Sequence, residues 1–338
     1  MENRYVKQEL CSFIGCEGQK LLQEKHVLMI GAGALGSASA EMLVRSGVGA
    51  ITIIDRDYVE FSNLQRQHLY SENDAVAALP KAIAAKNRLS EINSEVTIIA
   101  HVLDVTASNI ESFVQNVDVI IDATDNFDIR FILNDVAQKL NIPFLFGACA
   151  GSFGSTFTII PGKTPCLQCL LREMPLTGAT CDQVGIISPV IQIIASHQVT
   201  ECLKLLTGDT KALRQTYLTI DLWNNQHLSI RADKAKKDDC ISCGKQPTFP
   251  FLQYETQTKG AVLCGRDTVL LRPAQKQEYP LELIENRWGK LGKVLRNPFL
   301  LSCQLEHYRV VLFQDGRVFV HGTSNLQTAK NVYYQMLG

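Results

Sequence analysis

The sequence predicts an α/β fold, a mostly parallel sheet with helices on both faces, followed by a small C-terminal α+β domain. Three observations carry that prediction. A strand, glycine turn, helix and strand follow one another near the N-terminus; apolar β-branched runs then alternate with helical patterns; and beyond Gly244 the composition changes.

His26–Ile30 is a short apolar run ending at Gly31, and Ala38–Arg45 beyond the glycines has helical composition. Ala50–Ile54 is β-branched and ends at Asp55, completing a βαβ unit. Lys81–Ile92 reads as a helix because Ile83, Ala84, Leu89 and Ile92 recur near the helical period. Val96–His101 and Val117–Ile121, the latter closing at Asp122, read as strands with a helix near Ser108–Val114 between them. Ile129–Leu140 is predicted helical and Phe144–Phe146 extended. Leu140–Gly162 carries no charge over 23 residues, long enough to span a membrane, but it holds Pro143, Pro161 and four glycines. It reads instead as two buried strands around a glycine-rich turn. Ser188 is expected to cap a helix with Pro189 at its first position, running to Leu206 and stopped by Gly208.

Gln246–Gln257 has two prolines and little periodicity. It reads as linker, which gives expected units of 1–245, a linker at 246–259 and an accessory domain at 260–338. In the last unit Ala261–Leu271 and Tyr308–Phe313 are β-like, and Gln314-Asp315-Gly316 supplies a hairpin turn before Arg317–His321. Leu326, Ala329, Val332, Tyr333 and Met336 form an apolar stripe on a final helix.

Composition narrows the function. The chain has 338 residues, 46% of them hydrophobic, which is ample for a sizeable core and excludes a largely disordered chain. Its 33 basic residues balance 34 acidic ones, which argues against a nucleic-acid binder that works by neutralising phosphates. The polar, charged Met1–Gln8 has no signal-peptide pattern, and the second uncharged stretch, Gln183–Thr200, carries Pro189, Gln192, His197 and Gln198 and is no convincing span either, so a cytoplasmic location is expected, with no membrane partner. The 11 cysteines then point to metal ligands, a reactive thiol or buried filler rather than disulfides.

Gly31-Ala32-Gly33-Ala34-Leu35-Gly36 matches G-x-G-x-x-G after a strand and at the opening of a helix. The glycines allow a tight turn and bring backbone N–H groups up to a phosphate. Asp55, nineteen residues past Gly36, is placed to bind ribose hydroxyls. Taken alone, this Rossmann-like unit reads as an NAD(P)-dependent oxidoreductase. The residues beyond Asp55 change that reading. Ser62-Asn63-Leu64-Gln65-Arg66-Gln67 lies just past the second strand, and Lys81 begins the next helix. Ala123-Thr124-Asp125-Asn126 ends a later strand, with Arg130 and Asn134 behind it. Arg66 and Lys81 would neutralise a polyphosphate and Asp125 would hold Mg²⁺ against it. Each residue alone passes for a surface ion pair; together at strand ends they point to ATP cleavage.

Cys166-Leu167-Gln168-Cys169 and Cys240-Ile241-Ser242-Cys243 are two Cys-x-x-Cys pairs with turn formers beside them. Four thiolates suit a closed, tetrahedral, structural zinc site, and the 70 intervening residues mean that the metal ties distant segments together. A thioredoxin-like motif is the rival for either pair alone. Cys181 sits in the polar stretch Thr177–Asp182 before the Ser188 helix, where an exposed thiol can act as a nucleophile.

These elements, in this order, resemble the ThiF/MoeB family of adenylyltransferases, the bacterial relatives of ubiquitin-activating enzymes. The resemblance covers roughly Met1–Gly244, and the tail beyond it looks most like ThiF-type proteins of Bacillus-like bacteria. It implies ATP- and Mg²⁺-dependent adenylation of the C-terminal glycine of a ubiquitin-like sulfur carrier, of ThiS or MoaD type, for thiamine or molybdopterin cofactor biosynthesis. By matching position it implies that Gly31, Gly33, Ala34 and Gly36 approach the nucleotide and that Asp55 takes the ribose. Asn63, Gln65, Arg66 and Lys81 then contact the phosphates, Ser62 and Asn126 complete the nucleotide-binding set, and Asp125 holds the metal. Cys181 matches the thiol that captures the activated carrier, as a thioester or in sulfur transfer through a persulfide. Lys7 stands where the family commonly has an arginine that reaches the ATP of a second subunit, so a homodimer is implied. No rhodanese-like cysteine loop follows Gly244, which implies a separate sulfur donor. The competing readings are adenylation of another peptide, an NAD(P) oxidoreductase and an inactive scaffold.

Overall fold

The computed structural model describes residues 3–173, 184–253, 260–263, 267–272 and 279–337. Eight strands form the first sheet: β1 (His26–Ile30), β2 (Ala50–Asp55), β3 (Thr97–Val102), β4 (Val119–Asp122), β5 (Phe144–Ala150), β6 (Phe153–Ile159), β7 (Thr216–Asp221) and β8 (Gln226–Arg231). Their order is β3-β2-β1-β4-β5-β6-β7-β8. The first five are parallel and the last three antiparallel. The order reverses between β1 and β4, which opens a crevice at the carboxyl ends of these strands.

Alternating residues of β1 serve two cores, as expected of a strand buried on both faces. Val27 and Met29 pack with the helices Ala34–Arg45, Lys81–Ile92 and Ser188–Leu206, whereas Leu28 and Ile30 pack with Phe127–Leu140 on the other face. The Ser188–Leu206 helix has the expected bounds, but its cap differs. Ile187 is the N-cap with extended backbone and no side-chain cap, and Ser188 Oγ hydrogen-bonds His68 Nε2 at 3.2 Å. Tertiary pairing of Ile187 N–H with the Gly151 carbonyl, at 3.0 Å, sets the entry angle in place of a side-chain cap. No helix among the described residues is long and apolar enough to cross a membrane.

Six antiparallel strands form the second sheet: β9 (Gly260–Leu263), β10 (Thr268–Leu271), β11 (Lys293–Arg296), β12 (Leu300–Gln304), β13 (Arg309–Phe313) and β14 (Val318–His321). Their order is β11-β12-β13-β14-β10-β9. The β13–β14 hairpin forms where Gln314-Asp315-Gly316 predicts it, with Gly316 at φ 86°. Leu281–Trp288 and Leu326–Leu337 cover one face around the buried Trp288. On the other face Leu270, Leu300, Val311, Phe313 and Phe319 pack against Tyr58, Ala78 and Val102 of the first unit. Residues 246–253 also lean on that unit: Phe251 stacks on Phe131 at 4.6 Å and its N–H donates to Asp135 Oδ2 at 3.0 Å.

Candidate active site

The crevice above β1, β2 and β4 is floored by the glycine loop. Gly31 lies at φ +93°, and a Cβ there would stand 2.5 Å from the Ala123 carbonyl at the end of β4. A Cβ at Gly33 would meet nothing within 4 Å, so this N-cap of the Ala34–Arg45 helix faces open space beside Ala34. Gly36 is different. Its Cβ would lie 2.0 Å from the Gly31 carbonyl, and it is buried in the helix and does not line the crevice. Its visible role is close helix–strand packing.

Asp55 lines the crevice at the end of β2, and both its oxygens accept backbone hydrogen bonds, from Ala32 N–H at 2.6 Å and Asp57 N–H at 2.7 Å. Burial raises its pKa, although the Lys81 charge and the two N–H groups oppose the rise. Lys81, first residue of its helix, is only 3% exposed, and its Nζ sits 3.1 Å from Asp57 Oδ2. Tyr70, which no motif marks, clamps the two pieces: its OH donates to the carbonyls of Ala32 at 2.5 Å and Lys81 at 3.3 Å.

Arg66 also lines the crevice, anchored by Nη1 to the Ser62 carbonyl at 2.8 Å. Its neighbours divide. Ser62 and Gln65 are exposed and lie outside the crevice lining. Asn63 is buried and accepts the Glu60 N–H at 3.0 Å, so it shapes the turn that carries Arg66. Gln67, the last residue of the same stretch, does line the crevice, and its buried Oε1 has no hydrogen-bond partner among the described residues.

At the end of β4, Asp125 is exposed on the crevice rim. Asn126 instead caps the Phe127–Leu140 helix, accepting the N–H groups of Asp128 at 2.8 Å and Ile129 at 3.3 Å, so a nucleotide contact is not its visible role. Arg130 is buried and committed: Nε donates to Asp122 at 3.1 Å, Nη2 to the Thr124 carbonyl at 2.6 Å, and its guanidinium lies by the rings of Phe127 and Phe146. Asn134 faces away and accepts the Leu167 N–H at 2.8 Å, at the start of the helix that carries Cys169. Lys7 is exposed on the short Val6–Glu9 helix and does not line this chain's crevice. Cys181 lies outside the described residues.

The wall at the ends of β2 and β3 has no sequence signature. Arg56, Leu103, Asp104 and Val105 line it. Arg56 Nη1 donates to Asp104 Oδ1 at 3.1 Å, and Arg272 from the second sheet pairs with the other oxygen, Oδ2. Burial would raise the Asp104 pKa, but Arg56, Arg272 and Arg317 together bring it below the usual carboxylate value.

Cys166, Cys169, Cys240 and Cys243 converge, all four Sγ atoms lying within 4.8 Å of one another. The Cys166–Cys240 and Cys169–Cys243 separations are both 3.6 Å. Tetrahedral zinc with bonds of about 2.3 Å needs sulfurs roughly 3.8 Å apart, so the cluster fits a closed four-thiolate site. Cys166, Cys169 and Cys240 are buried, Cys243 is partly buried, and the cluster lies away from the crevice lining.

The ThiF family model matches residues 5–242. The sulfur carrier protein ThiS adenylyltransferase of Bacillus subtilis (strain 168) is 51% identical over 339 residues, covering 100% of both chains. The sulfur carrier protein adenylyltransferase of Thermus thermophilus is 32% identical over 253 residues, which is 73% of this chain and 92% of that one. Among solved structures, that of E. coli MccB superposes with a TM-score of 0.63 at 22% identity, covering 73% of each chain, a likeness of fold.

Proposed function

The chain belongs to the ThiF family, and from that premise we propose that it adenylates the C-terminal glycine of a ubiquitin-like sulfur carrier with ATP, releasing pyrophosphate. The single observation that carries this reading is the crevice itself. An open glycine N-cap, Lys81, Arg66 and the rim carboxylate of Asp125 surround one space of about 960 Å³, solvent at its mouth included. A site for hydride transfer does not need that set of phosphate-neutralising groups.

The reaction needs positioning more than proton transfer. The carrier's terminal carboxylate is ionised at neutral pH, one of its oxygens bonds to the α-phosphorus, and the bond to the pyrophosphate oxygen breaks. Charge accumulates on the phosphate oxygens, so fixed cations are the main catalytic resource. In this proposal the N–H groups at Gly33 and Ala34 face the phosphates, Arg66 and Lys81 neutralise them, and Gln67 offers a further polar contact. Asp55 turns from the loop amides to the ribose. Mg²⁺ usually binds through one or two carboxylates plus substrate phosphates, and the exposed Asp125 fits that pattern. When bound, the metal supplies further charge neutralisation.

The reading extends in three directions. The four cysteines hold a structural zinc. Cys181 takes the activated carrier as a thioester: its sulfur bonds to the acyl carbon, AMP leaves and the thiol proton goes to solvent, after which a separate donor supplies sulfur. The protein is a homodimer in which Lys7 reaches the partner's nucleotide.

The test is ATP–pyrophosphate exchange with purified ThiS-type and MoaD-type carriers, scored beside thiocarboxylate formation. Exchange that depends on a carrier and its terminal glycine is expected; NAD(P) binding without exchange would overturn the proposal. Cys181→Ala is expected to keep exchange and to weaken thiocarboxylate formation. Mixing Lys7 and Lys81 variants is expected to restore activity through heterodimers.

A further inference from the structure

We propose that the C-terminal six-stranded unit is a buttress of the nucleotide site, with Arg272 as the positioning residue that acts on the crevice through Asp104 and Arg56. This rests on the crevice being an ATP site and adds a second wall to it. The family model ends at residue 242, so it includes neither Arg272 nor Arg317.

Two arginines from the second unit converge on one residue of the crevice. Arg317 is 5% exposed, lies over the Phe313 ring at 4.6 Å, and donates Nη1 to the Arg56 carbonyl and Nη2 to the Val102 carbonyl, each at 3.2 Å. These carbonyls lie at the ends of β2 and β3, so Arg317 fixes the backbone of Arg56. Arg272 fixes the side chain indirectly. It neutralises Asp104, which is 3% exposed at its side chain and whose other oxygen receives Arg56 Nη1 at 3.1 Å. A carboxylate so deeply buried needs both partners: with Arg272 removed, Arg56 becomes its one remaining ion-pair partner among the described residues, Arg317 acting only from farther off, and is drawn toward both oxygens.

Arg56 matters because of where it stands. It follows Asp55, the ribose position, and lines the crevice beside Leu103, Val105 and Ile129, whose apolar surfaces suit a flat base. A guanidinium held there lies against the face or edge of the base, a contact that strengthens nucleotide binding without taking part in bond breaking. Arg272 therefore governs ATP affinity more than turnover.

The experiment uses the full-length protein and measures KM for ATP and kcat in carrier-dependent pyrophosphate exchange, the affinity for a non-hydrolysable ATP analogue, and Tm. Arg272→Met is expected to raise KM and weaken analogue binding by about fivefold, with kcat changed by less than about twofold. Arg272→Lys is expected to be intermediate. Arg56→Met should match Arg272→Met, and the double variant should be no worse than either, because both act through one contact. Asn297→Ala controls for loosening of the seam, since Asn297 Nδ2 holds the same two units together through the carbonyls of Ala77 and Ala78, at 3.1 and 2.9 Å. It should lower Tm and leave KM alone. An unchanged KM in Arg272→Met, additive losses in the double variant, or an equal rise in Asn297→Ala would each overturn the proposal. Wild-type protein that binds no ATP would overturn the functional reading beneath it, and this proposal too.

Discussion

On one side of the crevice the glycine loop, Asp55 and Lys81 come from neighbouring elements and fasten one another, with Asp55 accepting the Ala32 N–H at 2.6 Å and Lys81 donating its N–H to the Asp57 carbonyl at 2.9 Å. On the other side Arg56 and Asp104 depend on partners 261 and 168 residues further along, Arg317 and Arg272. Both walls present charge to the same space. The first is built by local backbone geometry, and a short motif can encode it. The second exists only once two sheets have docked, so it couples the site to the stability of a separate unit.

Three substitutions test how sharp that division is. The largest effect is expected at Asp125, where replacement by alanine should slow carrier-dependent exchange by roughly 10²–10³-fold, the cost typical of one lost electrostatic contact. Because Asp125 is exposed, Tm should stay within about a degree or two of wild type. Unchanged exchange would remove it from the site. Next, Asp104→Asn should cost about 3 kcal/mol of stability in urea unfolding, because it removes the buried carboxylate that two half-buried arginines share. A near-neutral result would mean that the two units dock mainly through apolar contact. The smallest of the three is Gly36→Ala, expected to cost about 2 kcal/mol as the loop shifts away from the new Cβ. Its exchange activity should fall with the displaced loop, although Gly36 itself touches no substrate.

The two walls should also respond to pH in opposite senses. Asp104 has a lowered folded pKa, so its contribution to stability is present above the unfolded carboxylate value of about 3.9 and is lost as pH falls through the lower folded value. Asp55 has a raised folded pKa, so its contribution is greatest in acid and declines as pH rises from about 3.9 through the folded value. Unfolding midpoints from pH 2 to 7 should therefore show a flatter acid limb for Asp104→Asn, while Asp55→Asn gains on wild type as pH rises. Parallel profiles for all three proteins would break the comparison.

Legibility in the sequence divides along the same line. His26–Ile30 and Lys81–Ile92 form with the bounds their apolar patterns predict, and the helix to Leu206 forms with Pro189 in its first turn although Ile187 takes the cap expected of Ser188, because each is a local pattern with buried neighbours to match. The four cysteines converge as their paired spacing implies. Ambiguity falls where one residue type serves two purposes. Asn126 is an excellent helix cap, Asn63 a turn former and Gly36 a packing glycine, and nothing in a linear motif separates those uses from contact with a nucleotide. Tyr70, Arg56 and Asp104 carry no motif at all; their partners are set by chain folding. Arg272 and Arg317 lie in a stretch with no chemical pattern, and only the docked sheets show what they hold.

The cysteine cluster has a topological consequence. Each close sulfur pair joins positions 74 residues apart, so a bound ion closes a ring that contains the Ser188–Leu206 helix, β7 and β8. Closing a ring of that size restricts the unfolded chain by an entropy worth roughly 4 kcal/mol, if the ion acts as a disulfide would. The helix inside the ring packs on β5 and β6, so a bound ion would restrain the segment that carries it against the sheet. Chelation is expected to lower the wild-type melting temperature and leave Cys240→Ala, already open, where it was.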